Sequence, residues 1–278
     1  VITLASVGTG AMESAVSNLT SPGEKVLVAS IGHFGNRWAE ICKAFGVNAV
    51  HYETEWGKAL DPTEVKKQLE ANPGIKLVYC TLNETSTGAL NDIQALTKVV
   101  HEAGALIVVD AISGLGAAPF ETDAWGVDVV LSGSQKGFMM PPGLAFASIN
   151  AAAMAKVAES KNPKYYLSWT KAVKKLTEEK MPDTPFTPAV SLVIQLEKSL
   201  EIIMQETMEK IWERHAKLAK ATRAGVTALG LKLFAPTCPS PAVTSVHAPE
   251  GIDGAAVNKA FRDQYGISIA GGQGKVKG

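Results

Sequence analysis

The chain has 278 residues, 46% of them hydrophobic and 19% charged, enough to bury a sizeable core in one large domain or two unequal ones. Lysine plus arginine (27) cancels aspartate plus glutamate (27), which leaves none of the basic surplus that a nucleic-acid binder needs for counterion release. No apolar stretch approaches the ~20 residues of a membrane span, so neither nucleic acid nor a membrane is expected as a partner. Three cysteines, Cys42, Cys80 and Cys238, are too few and too far apart for a disulfide framework or a CxxC-type zinc site. A reducing, cytoplasmic setting is the expectation. Val1 is not a methionine and stands in an apolar run, and Gly278 ends a Gly/Lys-rich stretch, so the chain reads as a fragment with both ends cut.

In chain order, short apolar runs alternate with amphipathic segments. Strands are predicted at 1–6, 25–30, 49–53, 75–81, 105–109 and 127–131, with helices at 9–19, 36–45, 61–71 and 92–103 between the earlier ones. Gly46, Gly74 and Gly104 each follow a periodic run, where a left-handed helix end is wanted. This order implies an α/β fold, a mainly parallel sheet covered by helices on both faces. Ligands of such sheets bind beyond the carboxyl ends of the strands. After Pro188 the spacing of Ala189, Val193, Leu196, Leu200, Ile203, Ile211 and Leu218 predicts one long helical stretch whose apolar face packs in the core. A smaller α+β unit follows, with strands at 232–234, 242–247 and 267–270 and a helix at 253–265. The division is placed inside the long helix, giving residues 1–206 and 207–278.

Polar residues at the strand ends carry the chemistry. Gly8-Thr9-Gly10 joins a strand to a helix, where free amides and the helix dipole hold a phosphate; the plain alternative is a tight turn with no ligand. The dinucleotide pattern fails, because Glu13 replaces its third glycine and no acid closes the strand ending Ala29-Ser30-Ile31. Gly274-Lys275 is no P-loop either, since Val276 stands where a hydroxyl must be. Asp110 ends an apolar strand, where an acid costs energy unless a cation meets it or it caps the following turn. The run Ser132-Gly133-Ser134-Gln135-Lys136-Gly137 delivers Lys136 to the same edge. The apolar Phe138-Met139-Met140-Pro141-Pro142 after it predicts a lysine shielded from water and able to act as an amine nucleophile. A phosphate cradle, a carboxylate and a lysine on one edge are what pyridoxal phosphate requires. Phe34, just after the second strand, is placed to cover the ring unless it is ordinary core.

These stretches together resemble the class V aminotransferases of the fold-type I pyridoxal-phosphate superfamily, and within them the alanine/serine–glyoxylate (serine–pyruvate) group. The likeness runs through GTGAMESAVSNL, GHFGNRW, NETSTGAL, VDAISGLGA, SGSQKGFMMPPGLAF, TPAVSLVIQLEKSLE and GISIAGGQGK. It implies that Lys136 forms the Schiff base and Asp110 meets the pyridine nitrogen. It also implies that Phe34 and Ile112 flank the ring and that Thr85 bonds near the ring hydroxyl. Gln135 with the amides of Gly8, Thr9 and Gly10 would hold the phosphate, and Thr187 would reach the phosphate of the neighbouring subunit in a homodimer. Two family features are expected outside the chain: an N-terminal segment of several dozen residues, and a carboxylate-binding arginine shortly after Gly278 that Arg37, Arg214, Arg223 and Arg262 do not match. Thr184 stands where some relatives have an aromatic residue.

The expected reaction is transamination from a small amino acid, alanine or serine, to a small 2-oxo acid, glyoxylate or pyruvate. The nearest rival, a cysteine desulfurase-like lyase, would want a histidine before the lysine and a mobile cysteine, whereas Gln135 precedes Lys136 and Cys238 sits among prolines. The other rival is a cofactor-binding but inactive fragment.

Overall fold

The computed structural model describes residues 1–178 and 180–277; Gly278, the expected cut end, lies outside them. The elements are β1 (Ile2–Leu4), α1 (Gly8–Leu19), β2 (Lys25–Ser30), α2 (His33–Ala44), β3 (Asn48–Glu53), α3 (Pro62–Ala71) and β4 (Leu77–Thr81). Two short strands, β5 (Asn83–Glu84) and β6 (Ala89–Leu90), precede α4 (Ile93–Glu102), β7 (Leu106–Asp110), β8 (Val129–Gly133) and β9 (Ala145–Ile149). Helices α5 (Ala151–Glu159), α6 (Trp169–Thr177), α7 (Val190–Glu206), α8 (Met208–Ala228) and α9 (Gly254–Tyr265) complete the chain.

The main sheet has the order β1-β9-β8-β7-β4-β2-β3. Four neighbouring pairs from β8 to β3 are parallel, and β9 is antiparallel to both β8 and β1. Alternate side chains serve opposite faces. Val26 and Val28 join the cluster formed with α1, α2, α5 and α6, whereas Leu27 and Ala29 join the cluster formed with α3 and α4. Burying Met12, Val16 and Leu19 of α1, all fully covered, contributes ~1.5–3 kcal/mol each. Helix α6 is pinned to α1 by Trp169, whose Nε1 donates to Ser14 Oγ and whose amide donates to Asn18 Oδ1, both at 3.0 Å.

Helix starts differ in a way that matters for the site. Asp61, Asp92, Asn150, Ser168 and Asp253 cap α3, α4, α5, α6 and α9 with their side chains, each a contribution of about 1 kcal/mol. Helices α1 and α2 follow strands directly and have no side-chain bond from their own cap residues, Val7 and Gly32.

Three expectations need correction. The long helical stretch is two helices broken at Thr207, a β-branched residue at φ 70°, ψ 149°, a conformation that costs ~1–3 kcal/mol. Its apolar face is not core within the chain: Ile211 is buried, but Val193, Leu200 and Leu218 are 44%, 41% and 57% exposed. Periodicity marks a face as apolar without saying what covers it. In the smaller unit, the strands predicted at 232–234 and 242–247 reduce to one antiparallel bridge, Leu233 with Val246, and no strand forms at 267–270.

Candidate active site

The carboxyl ends of β7 and β8 bring the two central residues to one edge. Asp110 closes β7 and lies opposite Thr81 of β4 and Leu131 of β8. It is 5% exposed, and among the described residues its carboxylate accepts one hydrogen bond, from the Ile112 amide at 2.9 Å. Burial pushes this carboxyl from 3.8 up to about 7; the Ile112 bond opposes that, the nearby charge of Glu84 adds to it, and Arg37 opposes it more weakly. An acid so placed is held ready for a cation.

Lys136 stands three residues beyond β8. Its loop is tied down by Ser134, which receives the Met140 amide on its carbonyl at 3.1 Å and donates its hydroxyl to the Pro141 carbonyl at 2.7 Å. Gly137 presses on the loop after Asp110: a β-carbon there would lie 2.2 Å from the Leu115 carbonyl oxygen, so only glycine allows the two loops to meet. The predicted shielding of Lys136 does not hold within the chain. Phe138 and Met140 turn inward to Phe146 and Leu144, while Met139 and Lys136 are exposed. Lys136 Nζ therefore projects without a hydrogen bond or ion pair among the described residues. It borders a cavity of about 400 Å³ shared with Thr85, Ser113, Ile203, Arg214 and His215. The Arg214 guanidinium is bound to Glu206 by bonds of 2.6 and 2.9 Å that span the break at Thr207.

Beside this pair lies a candidate anion cradle. The amides of Gly8, Thr9 and Gly10 open α1 without a side-chain cap or an acidic residue in the first turn, so the positive end of the helix is uncompensated. Gln135 Oε1 is buried and, among the described residues, has no partner. A β-carbon on Gly133 would sit 2.9 Å from that oxygen and 3.6 Å from the Gly8 nitrogen; its absence leaves the space between them open. Arg37 adds positive charge, donating from Nη1 to Thr9 Oγ1 at 3.0 Å.

Phe34 lies in the first turn of α2 with the Arg37 guanidinium 4.7 Å from its ring centre. Ile112 packs on Gly8, its Cδ1 2.5 Å from where a β-carbon of residue 8 would be. Thr85 donates to Ser113 Oγ at 2.8 Å, and Asn83 Nδ2 donates to the same oxygen at 2.8 Å. Thr187 is exposed in the segment before α7 and does not border the cavity. Two neighbours, Glu84 and Ser113, are not singled out from sequence, although both follow strand ends at the same edge, the rule that located Asp110. Arg37, weighed from sequence only against the carboxylate-binding arginine, stands one helical turn after Phe34.

A buried acid, a lysine without a partner and an anion cradle suit amino-group chemistry on a phosphorylated, cationic ring. The family described as aminotransferase class V matches residues 2–276. The chain is 42% identical over 282 residues to a protein named as the small subunit of a soluble hydrogenase from Synechococcus sp. (strain PCC 6716), with 100% of this chain and 72% of that protein covered. It is 36% identical over 286 residues to serine–glyoxylate aminotransferase of Methylorubrum extorquens, with 98% and 69% covered. The crystal structure of pyridoxamine–pyruvate aminotransferase from Mesorhizobium loti matches with a TM-score of 0.94 at 32% identity, over 100% of this chain and 71% of that one. On that match over nearly its whole length, the chain belongs to the class V aminotransferases.

Proposed function

We propose that this aminotransferase depends on pyridoxal phosphate and moves the amino group of serine or alanine to glyoxylate or pyruvate. The observation that supports this most is Asp110, buried with one carboxylate oxygen unused, on the same sheet edge as Lys136. The open space by Gly133 and the unpartnered Gln135 Oε1 fit a phosphate at the start of α1. In this reading the amides of Gly8, Thr9 and Gly10, with Gln135 and Arg37, hold the phosphate. Phe34 and Ile112 flank the ring, Thr85 meets its hydroxyl, Asp110 pairs with its nitrogen, and Lys136 is the covalent anchor.

When bound, the cofactor supplies an electron sink for the pair released as the substrate Cα–H bond breaks. The chain itself moves the protons. Lys136 Nζ, once free, would take the proton from the substrate Cα as a base and deliver it as an acid to the C4′ carbon of the cofactor, and run the same transfer in reverse for the 2-oxo acid. Asp110 in its ionised form keeps a proton on the ring nitrogen through a charge-assisted hydrogen bond. The names of two relatives, serine–glyoxylate and pyridoxamine–pyruvate transaminases, support both acceptors, and alanine is the amino form of pyruvate. A desulfurase-like reading has less support, because the Cys238 thiol donates to the Gly57 carbonyl at 3.5 Å. We further propose a cytoplasmic homodimer, with Thr187 of each copy serving the phosphate of the other, and a division of the chain between residues 1–206 and 207–278.

The test is to load the protein with pyridoxal phosphate, add serine and glyoxylate, and follow glycine formation by amino-acid analysis. Glycine should form in proportion to serine lost. Failure to bind the cofactor, or binding without glycine from serine or alanine, would overturn the reading; sulfide release from cysteine would favour the lyase.

A further inference from the structure

Glu84 is fully buried on the short strand β5, and its carboxylate accepts hydrogen bonds from the first turn of α2 and from Ser86. One carboxylate oxygen receives the Phe34 amide at 3.0 Å and the Gly35 amide at 2.9 Å. The other receives the Ser86 amide at 3.1 Å and the Ser86 hydroxyl at 2.6 Å. Ser86 Oγ in turn accepts the His33 amide at 3.1 Å. The first amides of α2, left without a cap by Gly32, are thus satisfied from a strand some fifty residues later in the chain. An anion at that position also complements the positive end of the helix. Phe34 belongs to this turn, so its place is fixed through its own backbone.

We propose that Glu84 is the positioning residue of the site, seating Phe34 and the start of α2 beside the cradle and setting the charge that faces Asp110. This rests on the pyridoxal-phosphate reading. Among the described residues, Glu84 from β5 and Arg37 from α2 act by charge on the Asp110 carboxyl, while the Cys80 thiol of β4 is pushed up to about 12 by burial and, further, by Asp110. Glu84 pushes the Asp110 carboxyl up and Arg37 pulls it down. Removing the Glu84 charge therefore eases ionisation of Asp110, an effect that reaches the ring-nitrogen contact without any bond between the two carboxyls.

The experiment uses two variants of the full chain. Glu84→Gln keeps the shape but removes the charge and forces one donor to face another. Ser86→Ala keeps the charge but removes one bond to Glu84 and the acceptor of the His33 amide. Pyridoxal phosphate affinity is measured by fluorescence titration, and Asp110 is titrated in the cofactor-free protein by carboxyl ¹³C NMR, assigned with Asp110→Asn. Glu84→Gln should weaken cofactor binding about ten-fold or more, as loss of charge-assisted bonds implies, and should lower the pH at which Asp110 titrates. Ser86→Ala should weaken binding by a smaller factor and leave the Asp110 titration where it was. If wild-type protein binds the cofactor and Glu84→Gln alters neither readout, the proposal is wrong, even if that variant is less stable. If Glu84→Gln does not fold, Ser86→Ala decides, and unchanged affinity there overturns the proposal. Failure of the wild-type protein to bind would instead overturn the pyridoxal-phosphate reading.

Discussion

Replacing Asp110 by asparagine isolates the cost that this acid imposes on folding of the protein without cofactor. Burial, with Glu84 adding to it, moves the carboxyl from 3.8 to about 7 against the pull of the Ile112 amide and Arg37. In the unfolded chain the group loses its proton near 3.8, and in the fold it keeps it until about pH 7. Between those values the folded state binds more protons, so stability falls as pH rises through the window. At about 1.4 kcal/mol for each tenfold change in proton affinity, the penalty grows from nothing below pH ~4 to the order of 4 kcal/mol above pH ~7. Asparagine cannot ionise and escapes this part. It carries instead a pH-independent cost of about 1–3 kcal/mol for a buried amide left without a partner. Urea unfolding of both cofactor-free proteins from pH 4 to 8.5 measures the difference. The variant should be the less stable at the acid end and gain on wild type by roughly 3–4 kcal/mol at the alkaline end. Curves that stay parallel would refute the argument, because they would mean that Asp110 ionises in the fold as easily as in water.

Lys136→Ala should leave urea stability within about 0.5 kcal/mol of wild type, since the side chain is exposed and without a partner, yet abolish borohydride-fixed labelling by pyridoxal phosphate; label on another lysine would reassign the anchor. Gln135→Leu removes a buried oxygen that has no partner, so the cofactor-free protein should be as stable as wild type or more so, while pyridoxal phosphate binds several-fold more weakly in a titration. Cys42 and Cys80 are both pushed up to about 12 by burial, so iodoacetamide at pH 8 should label Cys238 alone in the native protein, as read by peptide mass mapping; early labelling of Cys80 would contradict the burial of β4.

Strand ends made much of the site legible. Apolar runs closed by Asp110 and leading into Lys136 located both residues at one edge, because a covered parallel sheet exposes its polar chemistry only where strands stop. Lys25–Ser30 was predicted with the bounds that it has, being marked by a turn before and a polar loop after. Glu84 escaped because a two-residue strand has no periodicity to announce it. The break at Thr207 escaped because neither glycine nor proline marks it. The exposed face of α7 was misread as core for a different reason: apolar spacing describes one surface, and its cover need not come from the same chain.

The place of β1 at the edge of the sheet has a consequence for assembly. Among the described residues its one strand neighbour is β9, with Ile2 opposite Ala147, about 145 residues away in the chain. The head of α1 follows that strand directly, so it takes its final place only once this long-range pairing has formed. The loop of Lys136, by contrast, closes locally between β8 and β9, with Gly133 opposite Ala145. Contacts of such unequal span form on unequal timescales, local before distant. The lysine end of the sheet edge can therefore be organised while the head of α1 is still free, and any ligand that needs both must await chains that have brought β1 and β9 together.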